Sequence, residues 1–271
     1  AMKSKTTMKK VIPDILYHYT TQPVLLSIVQ HRAIWLSSQW HLNDSAEGEI
    51  FNRLARNYAD TLTVAENKIN EVLASLDQFE FFVNCLTTHG DMLSQWRGYA
   101  GDGKGVSIGF NSKALKNIIK GSSIGLLYPV TYADETKDLS KDLLNKLHKT
   151  LISDGNKPSV DYLQTLGKER WAVKSKAFEE EDEFRLILTP HLNDSQVTFA
   201  GGEIASRKFR ATESEIRNYY ELSLSTIEPD DLIKEVVLGP KNASNLGVVK
   251  QMLVSFGFKS VTVKRSVASY R

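Results

Sequence analysis

What most constrains this chain is the order of its apolar segments. Helical periodicities cluster early, and β-rich runs follow one another through the last third. Ile12–Tyr19 reads as a strand, after which Pro23 opens a short helix with Val24, Leu25, Ile28 and Val29 on one face. A short strand at Ile34–Ser37 precedes a long predicted helix from Ser45 to about Ser75, where Ile50, Leu54, Tyr58 and Leu62 recur at helical spacing. Phe81–Leu86 and Gly105–Phe110 read as strands. Asn111 then caps a helix that ends at Gly121, and Leu126–Tyr132 is a further strand. Asp134–Gly167 is polar and helical in pattern, with a break at Asp154, Gly155 and Asn156; a helix is expected over Tyr162–Lys176 and a strand over Glu183–Leu188. Strands at Val197–Ile204, Ile216–Ser225 and Ile233–Leu238, a helix at Ala243–Phe256 and a strand at Ser260–Val263 close the chain.

Strands in succession, with helices segregated from them, point to an α+β fold and away from a doubly wound parallel sheet. No G-x-G-x-x-G follows the first strand and no Walker A sequence occurs, so Rossmann and P-loop readings lack support. At 271 residues the chain reads as one large domain, residues 1–271. Its core halves are residues 11–133 and 177–271, around a helical insertion at 134–176. With 34 basic and 32 acidic residues, the formal charge of +2 gives no global field toward nucleic acid. Ala1 ahead of Met2 reads as a cloning remnant, and the polar, basic stretch to Lys10 is unlike a secretory signal. No apolar run approaches the roughly 20 residues that span a bilayer. The single cysteine, Cys85, excludes a disulfide framework and a Cys-based zinc site, and its apolar strand suggests an inert core thiol. A cytoplasmic, non-membrane protein is the expectation.

Four segments can carry chemistry. In Leu16-Tyr17-His18-Tyr19-Thr20, the histidine near a strand's end is either a ribose-hydroxyl partner or a core histidine bonded to a backbone carbonyl. In Trp35–Glu49, Asp44 and Ser45 suit helix capping, while Asn43 could fix a loop beside a ligand. Between Ser94 and Phe110, Trp96, Arg97 and Tyr99 precede a glycine-rich turn; Arg97 could clamp a phosphate, or Asp102–Gly105 could be a plain hairpin turn. In Lys174–Leu186, strand alternation would put Glu181, Glu183 and Arg185 on one face. Repulsion within that doublet would raise one carboxyl pKa unless Arg185 or Lys176 compensates.

Taken together, Leu16–Thr20, Trp35–Glu47, Trp96–Phe110, Phe178–Leu188 and Val236-Val237-Leu238-Gly239-Pro240 resemble the blocks of the bacterial DUF2971 family. A looser resemblance is to ADP-ribosyltransferase-fold proteins, which open with a strand histidine or arginine and end with a glutamate, often in an E-x-E pair. That resemblance implies a split β-sheet core with flanking helices and a helical insertion, NAD as co-substrate and no metal. It matches His18 to the ribose-binding residue, Glu183 to the catalytic glutamate and Glu181 to the first member of the pair. Tyr99 takes the middle position, stacked on nicotinamide. Tyr19, Thr20, Asn43, Trp96, Arg97 and Arg185 complete the expected NAD site.

The implied chemistry is cleavage of the nicotinamide–ribose bond, with a carboxylate stabilising the positive charge that develops on the sugar. Similar bacterial enzymes are often toxins or phage-defence effectors, which implies a nucleic-acid or protein acceptor and allows for an antitoxin partner. Arg207, Lys208 and Arg210, with Lys259, Lys264, Arg265 and Arg271, could form a basic surface for a nucleic-acid acceptor or be scattered solvated charges. Two rival readings stand. One is a magnesium-dependent nuclease or phosphodiesterase using Asp44, Glu47, Glu181 and Glu183; the other is a non-catalytic nucleotide-binding module. The histidines at 18, 31, 41, 89, 148 and 191 show no close metal-ligand spacing.

Overall fold

A computed structural model describes residues 11–41, 48–152, 158–191 and 194–270. In chain order its elements begin with β1 (Ile15–Thr20), α1 (Gln22–His31), β2 (Ala33–Ser38), α2 (Glu49–Thr61), α3 (Glu66–Leu76) and β3 (Phe82–Thr87). Next come α4 (Leu93–Tyr99), β4 (Val106–Asn111), α5 (Ser112–Ile118), β5 (Gly125–Pro129), β6 (Thr131–Tyr132), α6 (Lys141–Ile152), α7 (Val160–Arg170) and β7 (Val173–Lys174). The remainder is β8 (Glu183–Leu188), β9 (Gln196–Thr198), β10 (Ile204–Ala211), β11 (Ile216–Ser223), α8 (Pro229–Leu232), β12 (Ile233–Leu238), α9 (Leu246–Ser255) and β13 (Thr262–Arg265). This is the mixed α+β architecture expected from the order of apolar segments.

Among the described residues, eleven strands form one mixed sheet in the order β13-β12-β4-β1-β3-β2-β11-β10-β9, with β8 joined to β3 and β5 to β8. The site depends on how β3 is shared. One edge of β3 pairs with β8 along its whole length, from Phe82↔Leu188 to Thr87↔Glu183. On the other edge β2 pairs only with the start, at Ser38↔Phe82 and Ser37↔Val83, and β1 only with the end, at Tyr17↔Thr87. The sheet therefore divides here. β1 leads into β4, β12 and β13, whereas β2 leads into β11, β10 and β9. Asn84, Cys85 and Leu86 face the gap between the two halves.

Side chains span that gap where strands do not. His18 Nδ1 reaches the Cys85 carbonyl at 3.0 Å, and Asn84 Nδ2 donates to the Trp35 carbonyl at 3.0 Å. Beneath the sheet, Leu16, Ile34, Phe82, Phe110, Leu186 and Tyr220 belong to one core that α1, α5 and α9 cover. A second core packs α2 and α3 against α6 and α7 through Phe51, Leu54, Leu73, Leu147 and Leu166. The expected 134–176 insertion thus shares a helical layer with helices from the N-terminal half. All six residues of β8 are buried, because helices and side chains cover both of its faces.

Several boundaries differ from the sequence expectation. The long helix is two helices, parted where Thr63 adopts φ +53°; its predicted start at Ser45 lies outside the described residues. The helix expected over 162–176 ends at Arg170, and Val173–Lys174 pair with β6 instead. The strand expected at 197–204 is β9, a turn containing Gly202 at φ +90°, and the start of β10. β10 escapes an apolar reading because four of its eight residues are polar or charged and it stands on an exposed hairpin.

Close approach of backbone gives a test of this geometry. A Cβ on Gly105 would lie 2.1 Å from the Thr20 carbonyl and 2.8 Å from that of Ala100. Gly105→Ala should cost about 2 kcal/mol or more, lowering the urea midpoint at nearly constant m. Gly98→Ala, where nothing lies within 4 Å, should leave the midpoint unchanged or raise it.

Candidate active site

The division of the sheet opens a cleft of about 640 Å³. β1 contributes His18 and Thr20, β3 contributes Asn84 and Cys85, and the far wall carries Tyr99, Lys174, Glu181 and Glu183. His18 makes the backbone-carbonyl contact that one of its two sequence readings expects, at Cys85. A carbonyl only accepts, so the Cys85 contact requires the proton on Nδ1 and leaves Nε2 as a lone-pair acceptor. Among the described residues Nε2 has no hydrogen-bond partner. Burial lowers the imidazole pKa below 6.5, outweighing the carbonyl contact that favours the cation, so the ring is neutral at physiological pH.

Glu181 arrives by a route that strand alternation does not describe. β8 starts at Glu183, whereas Glu181 ends a 3-10 turn, with Asp182 at φ +46° between them. Thr87 Oγ1 donates to the Glu181 carbonyl at 2.6 Å, and Thr88 Oγ1 donates to the Asp182 carboxylate, which hold this turn to β3. Lys174 Nζ then lies 2.5 Å from Glu181 Oε2 and 3.3 Å from Glu183 Oε2, with its ammonium 4.6 Å from the Phe178 ring centroid. Tyr99 Oη donates to Glu181 Oε1 at 2.9 Å. Burial and the neighbouring Glu181 charge push that phenol far above its usual range, so it stays a neutral donor.

Arg185 holds Glu183 from behind. Its Nε and Nη2 donate to Glu183 Oε1 and Oε2 at 2.7 and 3.1 Å, and its Nη1 donates to the Trp171 carbonyl at 2.7 Å. The Cys85 thiol also bonds the Glu183 carboxylate. Cys85, expected as a core thiol, is partly buried: it packs against the core of Phe81, Val83 and Trp171 and also lines the cleft. Burial acts to raise the Glu183 pKa, but Arg185, then Lys174 and Cys85, outweigh it and hold the carboxyl below 4.5. The compensating lysine is Lys174; Lys176 pairs with Asp138 at 2.6 Å.

Other expected site residues are placed differently. Tyr19 lines the cleft, but its hydroxyl donates to the His89 carbonyl and accepts from Met92 N, both at 2.8 Å. Trp96 is fully buried behind Tyr19, with ring centroids 4.7 Å apart, and its indole donates to Asp91. Arg97 is exposed and stacks 4.5 Å from the Tyr270 centroid. Trp96, Arg97 and the fully buried Arg185 are not among the cleft-lining residues. Asn43, Asp44 and Glu47 lie outside the described residues. Among the described residues no group of three or more His, Cys, Asp or Glu could hold a metal ion, and no helix is long and apolar enough to cross a membrane.

Sequence reasoning missed Asn84, Lys174, Trp35, Arg210 and Arg217 as cleft residues. Asn84 was detectable: it is an amide inside an otherwise apolar strand. Among the described residues its Oδ1 is buried without a hydrogen-bond partner, an arrangement that costs free energy unless a ligand donates to it.

The segment from α4 into β8 carries Tyr99, Lys174 and both glutamates. Residues 95–186 match the DUF2971 family, described as a protein of unknown function. That match supports the family resemblance seen in the sequence blocks. The DUF2971 segment covers about a third of the chain and one wall of the cleft; His18 and Asn84 lie outside it. No curated protein and no solved structure matches the chain.

The two titrating groups set a pH dependence. A lowered histidine pKa means that acid protonates the unfolded chain first, so the stability due to His18 is complete above pH 6.5 and is lost as pH falls below it. A depressed carboxyl pKa means that the Glu183 contribution is complete above pH 4.5 and is lost on further acidification. Urea midpoints measured against pH should fall in both windows, and Glu183→Gln should flatten the lower window only.

Proposed function

We propose that this chain is an NAD-dependent ADP-ribosyltransferase acting on a nucleic-acid or protein acceptor, in a bacterial toxin or phage-defence setting. The observation that carries the reading is that His18 and Glu183, distant in sequence, line one cleft at the division of a sheet. In this reading His18 Nε2 accepts a hydrogen bond from a ribose hydroxyl. The unpartnered Asn84 Oδ1 suits an N–H donor such as the nicotinamide carboxamide. Tyr99, tethered through its hydroxyl, offers its ring to the nicotinamide.

The glycosidic C–N bond breaks with its electron pair leaving on nicotinamide, and positive charge grows on the ribose C1′. Glu183, fixed by Arg185 and ionised throughout the physiological range, faces that charge without reorganising. The acceptor attacks C1′, and Glu181, the carboxylate hydrogen-bonded to Tyr99, takes its proton.

One observation favours a second reading, a nucleotide-binding module without turnover. Both Glu183 oxygens already accept from Arg185, and Oε2 also contacts Lys174, so the cluster is close to charge balance. The test is nicotinamide release on incubation with NAD and candidate acceptors. Wild type should release it, and Glu183→Gln should lose about 100-fold or more in kcat with KM within a few-fold. A Gln variant that turns over at the wild-type rate contradicts the catalytic assignment, and NAD binding without release in wild type selects the module.

A further inference from the structure

We infer that Arg210 and Arg217 form a clamp for the diphosphate of a nucleotide at the mouth of the cleft. The inference deepens, and rests on, the dinucleotide reading of that cleft. In the β10–β11 register Arg210 stands directly opposite Arg217, and both side chains line the cleft. Like charges placed directly across an antiparallel pair disfavour the folded state, and an anion shared by the two guanidinium groups would relieve that repulsion. Arg217 has a partial counter-charge in Glu215, whose Oε1 accepts from Nε at 2.7 Å. Among the described residues Arg210 has no carboxylate partner, and its guanidinium lies 5.6 Å from the Trp35 ring centroid.

Neighbouring cations are already neutralised. Lys208 pairs with Glu221 at 2.5 Å, Arg207 with Glu80 at 2.9 Å, and Lys174 with the acidic doublet. The basic track that Arg207, Lys208 and Arg210 suggest in sequence therefore reduces to a two-arginine site, which suits a compact dianion better than a polynucleotide backbone. Trp35 supplies a fixed aromatic face beside it. The indole donates to Glu221 at 3.0 Å and packs on Tyr219 with ring centroids 4.5 Å apart. A base on that ring, a diphosphate on the arginines and a ribose at His18 would lie along one cleft of small-ligand size.

Calorimetric titration of the full chain with ADP, ADP-ribose and adenosine tests the clamp, with unfolding midpoints confirming that Arg210→Ala and Arg217→Ala remain folded. ADP and ADP-ribose should bind about tenfold or more tighter than adenosine, and each substitution should weaken the phosphorylated ligands about tenfold, with adenosine unchanged. Added salt should weaken ADP binding in wild type more than in the variants. Equal affinity for ADP and adenosine, no binding of either, or variants that bind ADP as wild type does would overturn the clamp. So would an oligonucleotide that binds more tightly than ADP through the same two arginines. Arginine-dependent ADP binding without nicotinamide release supports the clamp and removes only the transferase reading.

Discussion

Everything distinctive in this molecule follows from one backbone constraint: an edge of β3 has strand partners only at its two ends. Between them the chain must satisfy buried polar groups by other means, because unpaired backbone groups away from water are costly. His18 and Asn84 meet that need, one binding a β3 carbonyl and the other donating across to β2. Among the described residues each retains an unused acceptor, Nε2 on the histidine and Oδ1 on the asparagine. The same two side chains therefore close the sheet and furnish the cleft with directed polar groups.

The opposite wall solves a different problem. Two carboxylates near each other in a buried place would ordinarily exchange charge for protons. Arg185 behind Glu183 and Lys174 between Glu181 and Glu183 supply the counter-charge and hold the doublet rigid. Removing either cation strips the buried doublet of part of its counter-charge, a larger loss than a surface ion pair represents. Stability and the proposed chemistry thus draw on one cluster, and the Cys85 thiol ties it back to the strand whose edge is divided.

The legible parts of the fold were those where burial writes itself into composition. β8 and β12 are each four apolar residues in six, and their limits at Glu183–Leu188 and Ile233–Leu238 agree with the sequence reading. The α2–α3 break was hidden because no Gly or Pro marks it; Thr63 bears the positive φ instead. In the site, His18, Tyr99, Glu181 and Glu183 were named from sequence and share the cleft, although a 3-10 turn presents Glu181 where alternation was expected to do so. Trp96 and Arg97 misled, because one face of a short helix does not announce which residue meets the core. Arg210 and Arg217 come together only through strand register, which depends on where β10 ends.

The most direct measurement is a crystal structure of Glu183→Gln soaked with NAD. The account predicts dinucleotide in the cleft between β1 and β2, with a nicotinamide-ribose hydroxyl about 3 Å from His18 Nε2. Dinucleotide bound elsewhere on the surface, or a ribose turned away from both His18 and residue 183, would contradict it.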